Sequence, residues 1–297
     1  MLDVRRLFLL RDLARLGTIA AVAQSHAYTP SAVSQQLTAL QREAGVPLLE
    51  RAGRRVNLTS AGLALVAHAE DVLAALEAAN ATLASVHTGL TGTVRIGAYP
   101  TAVPTLLPDA LVRLGGAHPG LDLMVCELDP VDVPEALRAR RVDVAITHDY
   151  DTAPAAPDPT CESVSILDEK VFLATPATPG RSRDPVRAAR TADWILGSPG
   201  TLCHRVALLA CRAAGYEPRI RHYADDFTAV LALVAAGQGV ALVPQLGALN
   251  PPPGVHLAEL PMRRRAQLAY RRGSGRHPAV AACVTAVRAA ATSYRRD

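Results

Sequence analysis

The chain has 297 residues and a net charge of +4 at pH 7, with 49% hydrophobic and 20% charged residues. This length predicts about two domains, and this composition excludes a wholly disordered chain. The longest apolar run, residues 227–236, is too short for a membrane-spanning helix, so we expect no membrane partner.

The cysteines and the N-terminus indicate the compartment. The five cysteines are an odd number, widely spaced and without a C-x-x-C pair, which argues against a disulfide framework or a zinc site and fits a reducing cytosol. Charged residues between Asp3 and Arg11 interrupt the N-terminus, so we expect no signal peptide. The sequence therefore predicts a cytoplasmic protein without a metal site.

The first sixty residues are basic and carry three helix-start signals. Eight arginines and four acidic residues give residues 1–60 a net charge of +4, which favours a polyanionic partner, although a solvated charged face has the same composition. We expect Asp3 to cap a first helix and Gly17 to end it. Thr18 caps a second predicted helix, and Thr29 caps a third.

The third predicted helix has one apolar stripe and one polar face. Val33, Leu37 and Leu40 recur at i, i+4 and i+7, which predicts a buried stripe. The opposite face has hydroxyl and amide side chains and little charge. Such side chains suit base-edge reading, because glutamine can pair with adenine, although a plain solvent face is the alternative. Residues 45–62 then predict a short β-hairpin with arginines around a glycine turn, which would lie beside this helix and contact phosphates or the minor groove.

Residues 2–62 resemble the DNA-binding domain of LysR-type transcriptional regulators. The motifs that carry the resemblance are GT at 17–18, TPSAVSQQ at 29–36, Leu40, Gly45, PL at 47–48, Arg51, RR at 54–55 and LTSAG at 58–62. Three positions depart from the family pattern, which usually has leucine at His26, phenylalanine at Leu49 and glutamate at Gln41. We expect His26 to be a partly buried structural histidine.

The resemblance implies a winged helix-turn-helix that binds double-stranded DNA. The residues that it assigns to DNA binding are Thr29, Ser31, Ala32, Ser34, Gln35, Gln36, Thr38, Arg51, Arg54 and Arg55.

A long helix is predicted after the hairpin, because residues 59–87 contain no proline and carry a heptad seam. Such a seam needs a partner, and a second copy of the chain is the simplest one; packing against the same chain is the alternative. In the resembled family this helix forms the dimer. The residues expected at the dimer interface are Val66, Leu73, Leu76, Asn80 and Leu83.

Strand and helix signals alternate from residue 91 onward, which favours parallel sheets with helices on both faces. Strands are predicted at 93–99, 121–128, 142–147, 164–174, 194–197, 219–223, 240–243 and 267–271, with helices mostly between them. We therefore expect an α+β chain: a winged helix-turn-helix in 1–58, a linker helix in 59–90 and a two-lobed α/β domain in 91–297. Lobe I would take about residues 91–163 and 267–297, and lobe II about 164–266.

This C-terminal segment resembles the effector domain of the same family, which is similar in fold to periplasmic solute-binding proteins. The resemblance is carried by IG at 96–97, LLP at 106–108, DVAI at 143–146, AGYEP at 214–218 and AGQGVALVP at 236–244. It implies a transcriptional regulator under the control of a small-molecule effector, a homodimer or homotetramer, and RNA polymerase as a further candidate partner. No cofactor is expected.

In this fold, ligands bind between the lobes at the carboxyl ends of the strands. The matching positions, which we expect to bind the effector, are Tyr99, Pro100, Thr101, Ala102, Thr147, Gly200, Thr201 and Asp226. Thr101 and Thr201 begin predicted helices, where hydroxyl and N–H groups suit a carboxylate, although a plain cap is equally compatible. For Asp226 we favour a cap over an effector contact.

Three rival interpretations remain at this point: a redox sensor, a solute-binding protein and an enzyme. Peroxide-sensing members of the family carry a reactive pair where Cys203 and Cys211 lie, but eight helical residues separate these sulfurs by about 12 Å of rise, too far for a disulfide without local unfolding. The missing signal peptide opposes a solute-binding protein. An enzyme is not expected, because the sequence has no G-x-S-x-G elbow, P-loop or metal-spaced cluster.

Overall fold

The computed structural model describes residues 1–52, 55–86, 89–176 and 183–294. The chain divides into two compact units, Met1–Asn80 and Ala81–Asp297. Within the described ranges, no helix is long and apolar enough to cross a membrane.

The first unit is a three-helix cluster followed by a hairpin and the start of a long helix. Its elements are α1 (Val4–Leu16), α2 (Ile19–Ser25), α3 (Pro30–Ala44), β1 (Leu49–Ala52), β2 (Arg55–Leu58) and α4 (Ser60–Val86). β1 and β2 pair antiparallel. α4 continues into the second unit.

The predicted caps of these helices are confirmed. The Asp3 carboxylate accepts hydrogen bonds from the first N–H groups of α1, and Gly17 ends that helix at a φ of 73°. Thr18 and Thr29 cap α2 and α3 with their hydroxyl oxygens. Each cap satisfies N–H groups that a helix cannot bond internally. The leucines of α1 and the stripe of α3 then bury each other in one apolar core.

The second unit is a mixed α/β domain. Its strands are β3 (Gly92–Ala98), β4 (Leu121–Glu127), β5 (Val144–Tyr150), β6 (Cys161–Thr175), β7 (Asp193–Leu196), β8 (Arg219–Tyr223), β9 (Ala241–Pro244) and β10 (His256–Arg271). Its helices are α5 (Ala102–Thr105), α6 (Leu107–Ala117), α7 (Val133–Arg138), α8 (Pro185–Ala188), α9 (Leu202–Ala213), α10 (Phe227–Ala235) and α11 (Pro278–Ala291).

The sheets are not purely parallel, which corrects the expectation from the alternating elements. Six strands follow the order β4-β3-β5-β10-β6-β9, and β7 pairs with β8 in a separate sheet. β3 is parallel to β4 and β5, and β7 to β8, whereas β10 runs antiparallel to β5 and β6. β6 also runs antiparallel to β9. The sequence pattern predicted only the last third of β10, a 16-residue strand, and so did not indicate its antiparallel pairs.

β6 and β10 connect two apolar cores of this domain. We call lobe I the part whose core contains Ile96, and lobe II the part whose core contains Trp194. Ile166 and Leu167 of β6 lie in the lobe I core, whereas Val171 and Leu173 lie in the lobe II core. β10 makes the same passage, with Met262 in lobe II and Ala266 in lobe I. The two lobes therefore share a pair of strands.

Candidate nucleic-acid interface and ligand cavity

The exposed face of α3 is polar and uncharged over its first turns. Ser31, Ser34, Gln35 and Thr38 are exposed, and Ala32 between them is partly buried. The hydroxyl of Thr38 donates to the carbonyl of Ser34 at 2.9 Å, so this side chain is tied back onto its own helix. Ser31, Ser34 and Gln35 present the side chains that best suit base edges.

Two further residues assigned to DNA binding have structural contacts. The hydroxyl oxygen of Thr29 accepts the N–H of Ala32 at 3.2 Å, which begins α3. The side-chain oxygen of Gln36, a partly buried residue, accepts the Nε–H of Arg6 at 2.8 Å. This bond links α3 to α1.

The connection from α3 to the hairpin is held by an amide side chain. The side-chain oxygen of Gln41 accepts the backbone N–H groups of Leu48 and Leu49, each at 3.0 Å. A glutamine thus fills this position with an acceptor, as glutamate would. The assigned Arg51 and Arg55 lie in β1 and β2, but their side chains, like the whole of Arg54, lie outside the described residues.

Close packing joins the hairpin to α4. The Thr59 hydroxyl donates to the carbonyl of Pro47 at 2.8 Å and accepts the N–H of Gly62 at 3.1 Å. A β-carbon on Gly62 would lie 2.3 Å from the carbonyl oxygen of Leu48. The glycine of the family motif at 58–62 is therefore required for steric reasons, since a larger residue at Gly62 would collide with the backbone of Leu48.

His26 takes part in a buried charge cluster. Its Nε2 lies 2.6 Å from Oδ2 of Asp12, whose other oxygen receives Nη2 of Arg11 at 2.7 Å. Asp12 is 3% exposed and His26 is partly exposed. The histidine links the end of α2 to α1 by a hydrogen bond, where a leucine would pack by apolar contact alone.

The predicted seam of α4 divides into two parts. Val66 is partly buried and packs against the core of the first unit, so this residue has a partner in its own chain. Leu73 is partly buried, and Asn80 is exposed. Leu76 and Leu83 are 47% and 66% exposed, so both side chains are accessible to solvent.

A cavity of about 250 Å³ lies between lobes I and II. Lobe I contributes residues that follow β3 and β4 and residues of β5, and lobe II contributes the start of α9 and the residues that follow β7 and β8. Its apolar wall is formed mainly by lobe II. That wall consists of Ile195, Leu196, Val206, Ala207, Ala224, Phe227, Val230 and Leu242.

Arg264 lines the cavity at the strand pair that joins the lobes. Its guanidinium donates to Glu169 through Nε at 2.9 Å and through Nη2 at 2.8 Å. Nη2 also donates to the hydroxyl of Thr101 at 3.1 Å, and the guanidinium carbon lies 4.8 Å from the ring centroid of Tyr99. The Leu246 N–H donates to Glu169 as well. The buried charges of Arg264 and Glu169 thus neutralise each other, and further hydrogen bonds to both side chains offset the cost of their burial.

His148 lies between two tyrosine rings of the cavity wall. Its ring centroid is 4.6 Å from that of Tyr99 and 5.5 Å from that of Tyr150, both in edge-on geometry. Burial lowers the pKa of His148 well below its usual range, and the nearby Arg264 charge lowers it further. His148 is therefore neutral. Its Nδ1 has no hydrogen-bond partner among the described residues.

Three carboxylates line the cavity: Glu127, Asp129 and Asp225. Asp129 accepts the N–H of Val131 at 3.0 Å and also that of Leu202, the first residue of α9. Burial nonetheless raises its pKa, as do the charges of Asp132 and Asp225. Asp129 belongs to lobe I and Asp225 to lobe II, so two like charges influence each other across the cavity.

Family comparisons agree with this division into a helix-turn-helix and a cavity-bearing domain. A family model described as a bacterial regulatory helix-turn-helix protein, LysR family, matches residues 4–63, and a model described as the LysR substrate binding domain matches residues 87–292. The chain belongs to the LysR family of transcriptional regulators. It combines a DNA-binding helix-turn-helix with an effector-binding domain.

Individual relatives of this LysR regulator span most of its length. A probable hydrogen peroxide-inducible genes activator from Mycobacterium leprae is 32% identical over 270 residues, 88% of this chain and 85% of that protein. The activator IlvY of Salmonella typhimurium is 29% identical over 256 residues, 84% of this chain and 85% of that protein. A solved structure of a cysteine mutant of Corynebacterium glutamicum OxyR is 26% identical with a TM-score of 0.57, covering 99% of this chain and 92% of that one.

The structure brings only part of the expected effector residues of the LysR regulator to the cavity. Tyr99, Pro100, Thr101 and Thr201 line it. Ala102 is buried behind them. Three others do not line this cavity: Thr147 lines a neighbouring groove, Gly200 precedes the α9 cap, and Asp226 caps α10 by accepting the N–H of Ala229 at 3.0 Å.

Sequence reasoning missed Arg264 and Glu169 because Arg264 lies in a run of three arginines that resembles a surface patch. The alternation of β10 contains a usable signal: Leu260, Met262, Ala266 and Leu268 are buried, and Arg264 shares their parity. A charged residue in phase with an apolar face indicates an internal partner.

The thiols of Cys203 and Cys211 both lie on α9. Cys203 lines the cavity, with its sulfur 3.8 Å from the hydroxyl of Tyr150. Burial raises the pKa of both thiols, that of Cys211 to about 11. Nucleophilic thiols instead have lowered pKa values, so this environment disfavours peroxide chemistry.

Proposed function

We propose that this LysR regulator reads its operator with the polar face of α3 and responds to a small molecule bound in the cavity between lobes I and II. The observation that carries the proposal is the exposure of Ser31, Ser34 and Gln35 on a helix whose other face is fixed in a core. Such a helix can enter the major groove with its orientation already set. Arg51, Arg54 and Arg55 would add phosphate or minor-groove contacts from the hairpin.

Two copies of α4 would form the dimer that carries two reading heads. Exposed Leu76 and Leu83 support this proposal, together with Leu73 and Asn80 on the same seam. An asparagine in the seam would fix the register at some cost in stability. Because Val66 packs on its own chain, the intermolecular contact would begin beyond it. A two-fold dimer favours an operator with inverted-repeat symmetry.

Effector binding would act through the angle between the lobes. β6 and β10 join the lobes, and a cavity lies between them, which is the arrangement of a domain that closes on a ligand. A ligand that prefers the closed form shifts the population toward it, and α4 would pass this change to DNA bending or half-site choice. RNA polymerase is a candidate partner at the promoter.

The domain boundaries follow from the same proposal. Residues 1–58 would bind DNA, residues 59–90 would dimerise and residues 91–297 would bind the effector. A cytoplasmic localisation is supported by the helix-turn-helix, since a DNA-binding regulator acts in the compartment that contains the chromosome. A role as a regulator rather than an enzyme is supported by membership of a regulator family.

A mobility-shift experiment across a salt series tests DNA reading by α3. The probe is DNA upstream of the protein's own gene, with non-specific DNA as competitor. Gln35→Ala should lower specific affinity by about 1–3 kcal/mol, and Arg51→Ala should mainly reduce the salt dependence. Gln24→Ala, an exposed glutamine on α2, is the matched control and should bind like the wild type. Equal binding by wild type and Gln35→Ala would contradict the proposal.

Redox sensing is a second candidate, because relatives of this chain are named as peroxide-inducible activators and Cys203 lines the cavity. The raised thiol pKa values oppose it. Thiols would be counted before and after mild peroxide treatment in the wild type and in Cys203→Ser. Loss of two thiols in the wild type alone would favour redox sensing, and unchanged counts would exclude it.

A further inference from the structure

The charge balance of the cavity indicates which class of effector it accepts. Its lining contains one arginine and three carboxylates. The arginine, Arg264, is already paired with Glu169 through two hydrogen bonds. Among the described residues that line it, the cavity therefore offers negative charge and no uncompensated cation to a ligand.

Asp129 and Asp225 are the carboxylates that matter most, because they come from opposite lobes. Asp225 follows β8 in lobe II and is exposed, and its two oxygens accept the N–H of Ser198 at 2.8 Å and the Ser198 hydroxyl at 2.5 Å. Asp129 follows β4 in lobe I and feels the charge of Asp225, and its pKa is raised. Two like charges on opposite walls of a cavity repel each other, and a cation that binds between them relieves that repulsion.

The start of α9, where an anionic group was expected, is already occupied by the protein's own groups. Thr201 accepts the N–H of His204 at 3.3 Å, and Asp129 accepts the N–H of Leu202. A carboxylate ligand would have to displace Asp129 or lie beside it. This helix end thus favours no further anion.

His148 supplies a separate indication that a ligand binds here. It is 4% exposed and lines the cavity, and its Nδ1 has no partner among the described residues. A buried polar atom without a partner is costly, and in native proteins it commonly marks a missing ligand or water. The neutral imidazole can accept a hydrogen bond from an N–H donor.

We propose that the effector is a small organic ammonium compound whose positive group lies between Asp129 and Asp225 and whose apolar body packs against Leu196, Val206 and Phe227. The cation would hold the two lobes together by neutralising one carboxylate from each. Among the described residues, no group of three or more His, Cys, Asp or Glu side chains is placed to hold a metal ion, which favours an organic cation. This inference rests on the proposed function, since it names the ligand class of the same cavity.

Three probes of matched shape and different charge test the proposal: benzylammonium, benzyl alcohol and benzoate. A second series consists of n-alkylammonium ions of one to six carbons and the matching carboxylates. Binding to the full-length chain is followed by calorimetry and by the fluorescence of Trp194, the only tryptophan. We expect an ammonium probe to bind at least about tenfold more tightly than its matched carboxylate. Asp129→Asn and Asp225→Asn should each remove that preference and leave benzyl alcohol unchanged. Asp122→Asn, an exposed acid on β4 that does not line the cavity, is the control and should keep the preference.

Three results would overturn the cation proposal: tighter or equal binding of the carboxylates, an ammonium preference that survives both asparagine variants, or no ammonium binding at about 50 mM, where even millimolar affinities are saturated. Mobility shifts on the same preparations keep the two proposals distinguishable. If a carboxylate binds and changes the DNA complex, the ligand class is wrong and the regulator function stands. If no specific DNA complex forms, the regulator function fails whichever probe binds.

Discussion

Arg264 and Glu169 are directly opposite each other on β10 and β6, and both side chains are at most 1% exposed. They lie where these strands pass from the core of one lobe to that of the other. The pair also positions Thr101 and Tyr99, which line the cavity. The position of this ion pair between the two cores is suited to a hinge about which the lobes can move.

Removing one member of this pair should destabilise the effector domain strongly. Arg264→Met leaves Glu169 as a buried, unpaired carboxylate, so we expect a loss of about 3–5 kcal/mol in unfolding free energy. The double variant Arg264→Met/Glu169→Leu should recover most of it, because no buried charge remains. Urea unfolding followed by Trp194 fluorescence measures both. Equal losses in the single and double variants would show that the charges are not the cause.

Gly62→Ala should destabilise the first unit. The new β-carbon would lie 2.3 Å from the backbone carbonyl oxygen of Leu48, the residue before β1. α4 and the hairpin must therefore move apart, which costs about 1–3 kcal/mol of unfolding free energy. Hydrogen exchange of the amides in α3 and the hairpin, measured by mass spectrometry, localises the effect. Gly115→Ala in α6 is the control: its β-carbon meets nothing within 4 Å, so that variant should be as stable or more so. Unchanged protection in Gly62→Ala would contradict the steric argument.

Charge on the α4 seam should disrupt the dimer. Leu76→Glu and Leu83→Glu place like charges at residues that are exposed in one chain, so folding of the chain should be unaffected while two copies repel each other. We expect the dimer dissociation constant to rise at least about tenfold in the double variant, as measured by analytical ultracentrifugation. Ala75→Glu, also exposed on α4 but at an outward-facing heptad position away from the seam, is the control. A dimer as stable as the wild type would place the interface elsewhere.

Thiol reactivity should be low at neutral pH and rise in alkaline solution. Because burial raises the thiol pKa of Cys211 to about 11, only roughly one molecule in ten thousand carries the thiolate at pH 7. The raised pKa of Cys203 acts in the same direction. Iodoacetamide labelling read by mass spectrometry should modify exposed Cys126 first. Faster labelling of Cys203 than of Cys126 at pH 7 would refute this expectation.

The sequence predicts best those features that depend on local signals. Asp3, Gly17 and Thr29 mark helix ends because capping involves neighbours in the chain. The pairing of Arg264 with Glu169 joins residues 95 positions apart, and no local signal fixes that register. The same limit explains why the pattern did not predict the first two thirds of β10 or the antiparallel pairing of this strand with β5 and β6. It also explains why Asp225 lines the cavity and the adjacent Asp226 does not.

Selection of bound sequences from a random DNA library tests the central claim most directly, because it needs no knowledge of the operator. Full-length wild type and Gln35→Ala would be carried through the same rounds. The account predicts that the wild type enriches one motif with inverted-repeat symmetry, and that Gln35→Ala loses preference at one symmetry-related pair of positions. A lack of any enriched motif, or an identical motif for both proteins, would contradict DNA reading by α3.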